Sequence, residues 1–258
     1  MEVCVKVEFG AGLATVKLDR PARRNAFSVD LMEQLIAAAN ELSLRHDIGA
    51  VVVTGGDEFF SAGADLKDER RWDTGSKTFV ERRETARLGT RLARAWEEVP
   101  QITIAAIEGY AIGAGLALTL ALDWRVMASN AFVSLPEIEL GIPLTWGSIP
   151  RLTRLVGPAK AKRVTILCER IGAPDALAMG LIDYVAAPGA AAARAREVAQ
   201  AVLAMPAHSV RMSKESVNVA ANALNHAASF MAHDQFQLAM ATEESRKARA
   251  AVLARKRS

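Results

Sequence analysis

The chain has 258 residues, 51% of them hydrophobic and 24% charged, which suits one large domain or two small ones with a sizeable core. Its 32 lysines and arginines nearly balance 29 acids, and a net charge of +3 argues for no nucleic acid and no membrane as the main partner. Residues Met1 to Glu8 mix charges with β-branched residues and lack a sustained apolar signal core, so the expected location is cytoplasmic.

Val3, Val5 and Val7 alternate with polar neighbours, as do Leu13 to Leu18 beyond Gly10-Ala11-Gly12, which predicts an opening β-hairpin. Ser28 is an N-cap for a helix running to about Arg45, with Leu31, Leu35, Ala38 and Leu42 on one face. Ala50 to Thr54 reads as a short apolar strand, so strand, helix and strand form a parallel crossover. Ser61-Ala62-Gly63-Ala64-Asp65-Leu66 is then a small-residue turn, read either as close backbone approach to a ligand or as a plain loop capped by Asp65. Thr78 to Glu98 is an amphipathic helix whose arginine-rich face reads as solvated.

The stretch around which the rest is arranged runs from Ile102 to Leu122. Ile102 to Ile107 predicts a buried strand, Gly109 breaks it, and Gly113-Ala114-Gly115 opens an apolar helix to Leu122 of about three turns. The first N–H groups of such a helix lack partners at its positive end, so the turn suits an oxyanion. Trp124 to Ala128 and Ala131 to Ser134 read as strands, followed by the carboxylate-bearing loop Leu135 to Pro143. From Gly147 onward the pattern is helical: Ile149–Val156, Lys160–Cys168, Asp175–Met179, Ala190–Met205, Ser209–Ala221 and Gln235–Ala254. A strand-rich first two-thirds and a helical last third predict an α/β fold.

Cys4 and Cys168 lie far apart without a CxxC or histidine-rich neighbourhood, which predicts free thiols. The four histidines, 46, 208, 226 and 233, show no metal-ligand spacing, so no metal is expected. There is no G-x-S-x-G for a serine hydrolase, and Gly113-Ala114-Gly115 lacks the third glycine of a dinucleotide fingerprint.

Taken together, several collinear motifs resemble the crotonase family, the enoyl-CoA hydratase/isomerase superfamily. They are Arg20-Pro21 with Asn25-Ala26-Phe27-Ser28; Phe60 to Leu66; Gly109 to Gly115; Asp123 with Arg125-Val126; Leu135-Pro136-Glu137 with Leu140-Gly141-Ile142; and Arg151 to Gly157. Ala178 to Asp183 and Thr242-Glu243-Glu244 continue the likeness. The resemblance implies a crotonase-like (ClpP-type) spiral of ββα units over residues 1–200 and a helical C-terminal trimerisation region over 201–258, assembled as a homotrimer or homohexamer. It also implies an acyl-CoA thioester as substrate, with no separate cofactor because CoA is part of that substrate.

Carried over by position, the N–H groups of Ala64 and Ala114 form an oxyanion hole for the thioester enolate, flanked by Gly113 and Gly115, and Glu137 is the catalytic carboxylate. Apolar neighbours of Glu137 are expected to raise its pKa into a useful acid/base range. Hydratases of the family carry a second glutamate where this chain has Ala117, and Thr145 stands where dienoyl isomerases place an aspartate. One carboxylate suits 3-to-2 double-bond isomerisation, while hydration of 2-enoyl-CoA returns if Glu139 turns inward. A non-catalytic acyl-CoA binding protein, a hydrolase and a decarboxylase are the alternatives. For the CoA portion the resemblance points to Arg23 or Arg24, to the backbone of Ala62, Asp65 and Leu66, and to Val252 and Arg255 near the C-terminus. Trp146 either lines the acyl pocket or packs in the core.

Overall fold

The computed structural model describes residues 2–72 and 75–255, apart from the side chains of residues 226 and 255. Its larger sheet has the strand order β1 (Val5–Phe9), β2 (Leu13–Leu18), β3 (Ala50–Thr54), β4 (Ile102–Ile107), β6 (Trp124–Ala128) and β9 (Tyr184–Ala186). The hairpin β1–β2 is antiparallel with Val7 opposite Val16, and every later pairing in this sheet is parallel. A smaller sheet joins β5 (Tyr110–Ile112), β7 (Phe132–Ser134) and β8 (Ile171–Gly172).

A parallel sheet covered on both faces needs apolar residues at every position of its central strands, and β3 and β4 are buried throughout. Side chains alternate: Val51, Val53, Ala105 and Ile107 enter the main core with α1 (Val29–Ser43) and α3 (Phe79–Glu97). Ala50, Val52, Ile104 and Ala106 face the other way, onto Ala191, Ala195, Val198 and Ala199 of α7 (Ala191–Leu203). The remaining helices are α2 (Glu69–Trp72), α4 (Ala114–Thr119), α5 (Ser148–Ile166), α6 (Ala173–Met179), α8 (Ala207–Asn222), α9 (Asn225–Ser229), α10 (Ala232–Met240) and α11 (Glu243–Arg255). Among the described residues no helix is long and apolar enough to cross a membrane.

Ser28 caps α1 as expected, its hydroxyl accepting from the Leu31 N–H, and Thr78 and Glu81 form a capping box on α3. Three expectations need correction. The helix after Gly113 is short, ending at Thr119, because the N–H groups of Ala121 and Leu122 bond three residues back and the Arg125 guanidinium takes the carbonyls of Thr119 and Leu122. The two helices expected over residues 149–168 are both present within the span α5 and meet at Gly157, whose φ of 78° and ψ of 164° are not helical. The single helix expected over residues 235–254 breaks after Met240, where the Thr242 hydroxyl accepts from the Ser245 N–H and starts α11. The arginine face of α3 is not simply solvated, since Arg83 pairs with Asp234 of α10 at 2.9 Å.

Candidate active site

Two bends in the chain build the site. The first, at residues 61–66, is held by Asn25, whose amide donates to the carbonyls of Gly55 and Phe60 and whose own oxygen accepts from the Arg20 N–H. Ala64 then makes an isolated parallel bridge with Phe27, in which Phe27 N–H donates to Gly63 O and Asp65 N–H donates to Phe27 O. That register uses the groups on either side of Ala64 and leaves the Ala64 N–H pointing the other way, with no hydrogen-bond partner among the described residues. The second bend follows β5. Gly113, with a φ of 51°, places Ala114 at the first position of α4, where a helix offers the N–H no partner, and none is found for it elsewhere among the described residues. The two bends are stitched together, because Ile112 N–H donates to Ser61 O at 3.0 Å and Ser61 N–H to Tyr110 O at 3.1 Å. A Cβ added to Gly63 would lie 2.9 Å from Ile112 O, so only glycine allows this approach.

The carboxylate arrives from β7. Gly113 N–H donates to Ser134 O at 2.9 Å, fixing the end of β7 against the second bend, and the chain continues through Leu135 and Pro136 to Glu137. The Glu137 carbonyl accepts from the N–H groups of Leu140 and Ile142, and Gly141 (φ 68°) closes the loop where a Cβ would strike the backbone of Ser245 in α11. A Cβ on Gly113 would lie 2.8 Å from Glu137 Oε1, so the carboxylate sits directly over the glycine that precedes Ala114. Its Oε2 is sealed from solvent and has no hydrogen-bond partner. Burial pushes the Glu137 carboxyl up to about 7, against the opposing pull of its own backbone amide and the Arg71 guanidinium.

These groups border one cavity of about 540 Å³. It is lined by Ala62, Gly63, Ala64, Gly113, Ala114 and Glu137, with Trp146, Ala117 and Thr145 also on its wall. Trp146 is 4% exposed, and its indole fits only because Gly89 of α3 has no side chain: a Cβ there would fall within bonding distance of Nε1. Leu66 and Val252 line the cavity as well, and exposed Glu139 lies at its rim.

Two of the residues named from sequence stand elsewhere. Arg23 does not line the cavity; Arg24 does, at the left-handed residue (φ 50°) that ends the turn Pro21–Arg23. Asp65 is also off the cavity wall, because its carboxylate pairs with Arg20 at 3.2 Å, its N–H serves Phe27 and its carbonyl accepts from the Trp72 indole. The Arg255 side chain lies outside the described residues, as do Lys256 and Arg257. The structure adds cavity residues that sequence reading passed over: Arg71 and Trp72 of α2, Phe236 of α10, and Arg170, Tyr110 and Phe132 near the rim. Arg71 and Trp72 sit in a charged run, Lys67 to Trp72, whose composition gives no sign of which side chain turns inward.

A parallel α/β sheet whose bends present backbone amides beside a desolvated carboxylate defines a protein of the crotonase class. The chain belongs to the enoyl-CoA hydratase/isomerase family, whose model matches residues 8–257. It is 38% identical over 208 residues to "Probable enoyl-CoA hydratase EchA17" of Mycobacterium tuberculosis, covering 81% of this chain and 77% of that one. Over 247 residues it is 30% identical to "Crotonyl-CoA hydratase" of Syntrophomonas wolfei, covering 95% and 93%. Among solved structures, an enoyl-CoA hydratase/isomerase from Mycobacterium paratuberculosis superposes with a TM-score of 0.88 at 25% identity, covering 97% of this chain and 99% of that one.

Proposed function

We propose that the cavity binds an acyl-CoA thioester with its carbonyl oxygen between the N–H groups of Ala64 and Ala114, and that Glu137 moves the proton. The observation that carries this reading is the juxtaposition of two amides without partners and a desolvated, unpartnered carboxylate around one cavity. Removal of an α-proton from a 3-enoyl thioester by the Glu137 carboxylate pushes negative charge onto the thioester oxygen, where two preorganised N–H donors stabilise it. The protonated Glu137 then returns the proton at the γ-carbon, and the double bond ends at the 2-position. A carboxyl that titrates near 7 is matched to both halves of this exchange. The reaction needs no group beyond the thioester and the protein's own atoms.

Isomerisation is favoured over hydration by Ala117, whose methyl group occupies cavity wall where a second carboxylate would activate water. Hydration is the second reading on two grounds: Glu139 stands at the cavity rim, and the relatives named above carry hydratase names. For the nucleotide, the exposed guanidiniums of Arg24 and Arg170 at the rim supply the positive charge that phosphates need. A homotrimer or homohexamer in the cytoplasm completes the proposal. Its support is a set of exposed apolar side chains on the C-terminal helices, including Val219 at 69% and Leu238 at 74% exposure.

The test is incubation with 2-enoyl-CoA and 3-enoyl-CoA, each with the parent protein and with Glu137→Gln. Double-bond migration that disappears in the variant supports the isomerase reading, and formation of a 3-hydroxy product supports hydration. Tight thioester binding without either reaction would leave a binding protein, and turnover that survives Glu137→Gln would remove Glu137 from the mechanism.

A further inference from the structure

The cavity wall carries a further charge that neither the proton transfer nor the rim arginines account for. Arg71, on the short helix α2, borders the cavity beside Trp146 and is less exposed than the rim arginines 24 and 170. Its guanidinium carbon lies 5.7 Å from the centroid of the Trp146 ring and 5.1 Å from that of Trp72, so the faces of the guanidinium are packed on aromatic rings. Its edges are not provided for. Among the described residues, the one hydrogen-bond contact of its side chain is with Met32 Sδ at 3.9 Å, a weak acceptor.

Every nearby acid among the described residues is committed elsewhere. Asp65 pairs with Arg20, and Asp68 accepts from the N–H groups of Val29 and Arg70. Glu137 attracts Arg71 through its charge but forms no ion pair with it among the described residues, and burial keeps it largely neutral up to about pH 7, so it is no permanent counter-ion. Desolvation brings Arg71 down to about 10, which leaves it cationic throughout the working range. A desolvated guanidinium with five donors and no anion is unfavourable unless a ligand completes it. The rest of that part of the cavity, Trp72, Leu144, Trp146 and Phe236, is apolar and suits a carbon chain.

We propose that Arg71 is a specificity-determining residue that receives an anionic group on the acyl chain, so that the preferred substrates are acyl-CoA thioesters bearing a carboxylate away from the thioester. The inference deepens the acyl-CoA reading and depends on it. Arg71 offers a planar fork that matches a carboxylate in two parallel hydrogen bonds, and the two tryptophans hold that fork in place. Phosphates of the CoA moiety are the other anions available, but the exposed arginines 24 and 170 already stand where those enter.

The experiment is equilibrium binding of saturated thioesters, which need no turnover. Carboxylate-ended and methyl-ended acyl-CoAs of matched length, glutaryl-CoA against pentanoyl-CoA and neighbouring lengths, are titrated into the parent protein, Arg71→Lys and Arg71→Leu. At the fitting length the parent should bind the carboxylate-ended thioester roughly ten- to a hundredfold more tightly than its methyl-ended counterpart, as expected for a hydrogen-bonded charged group. Arg71→Leu should erase or invert that ratio while keeping affinity for the methyl-ended chain, and Arg71→Lys should retain part of it. The parent's own ratio is informative even if a variant fails to fold. Equal binding of both thioesters by the parent at every length, or an equal loss for both in Arg71→Leu, overturns the role of Arg71 and leaves the acyl-CoA reading standing. Binding of neither thioester overturns both.

Discussion

At the start of β4, Asp123 accepts hydrogen bonds from the Thr103 N–H and hydroxyl at 2.8 and 2.9 Å and pairs with Lys214 at 2.6 Å, and Arg125 pairs with Asp183 at 2.8 Å. Beyond the other end of β4, past the bends at Gly109 and Gly113, Glu137 has a sealed oxygen with no partner, and Arg71 forms no ion pair, among the described residues. Both regions bury charge. The first satisfies it with protein atoms and so ties β4, β6, β9 and α8 together; the second leaves it without protein partners among the described residues, around a cavity of about 540 Å³. Buried charge is unfavourable unless it is partnered, so the unpartnered end is where a ligand has to supply the missing contacts.

The most direct way to break this contrast is at the unpartnered end. Replacing Glu137 with Gln should lower kcat by about 10²–10⁴ for the supported reaction without loss of fold, measured by steady-state kinetics alongside circular dichroism. For the parent, kcat/KM should rise with pH through about 7, because the free carboxylate is the base that starts the exchange. Next, Ala114→Pro removes one N–H at a first helical position, where proline is tolerated. A fall of roughly 10²–10³ in kcat with little change in melting temperature is expected, and an unchanged kcat would remove the oxyanion role from that amide.

At the partnered end the expected effect is on stability, not on turnover. Lys214→Met leaves the Asp123 carboxylate without its ammonium and should destabilise the chain by about 3 kcal/mol, with activity per folded molecule retained. Chemical denaturation with an activity titration separates the two quantities. The smallest effect concerns Glu137 again, now as a group whose folded pKa is raised from 4.5 to about 7. The stability it contributes is fully present below about 4.5, where the unfolded carboxyl is also neutral, and is lost as pH rises to and through about 7. Glu137→Gln is spared that loss. It should therefore match the parent near about pH 4 and exceed it by about 1–3 kcal/mol near about pH 8, in thermal or denaturant unfolding across that range.

Much of the fold was legible because the physics that forms it is local. The strands Ala50–Thr54, Ile102–Ile107 and Trp124–Ala128 stand where their apolar runs predicted, and Ser28 and Thr78 cap their helices through hydroxyls three residues from the amides they receive. What escaped was three-residue structure and helix length. Tyr110–Ile112 is a strand only because Phe132–Ser134 lies beside it, and α4 is short only because Arg125 and Thr103 claim the groups that would have prolonged it.

The site divides in the same way. Its backbone donors, Ala64 and Ala114, and its carboxylate, Glu137, follow from motif order and from glycines whose positive φ values no other residue adopts easily. By itself, then, the chain's order of residue types determined the main strands, the helix caps and the free amide at Ala114, because these are short-range matters of sterics and hydrogen bonding, while the resemblance of its collinear motifs pointed to the family, to Ala64 and to Glu137. Only the tertiary structure decided that Arg24 and not Arg23 borders the cavity, that Asp65 faces Arg20, and that Arg71 enters an apolar pocket without an anion. A charged side chain's partner lies far away in sequence, and burial, which sets what that charge does, exists only once distant segments have packed.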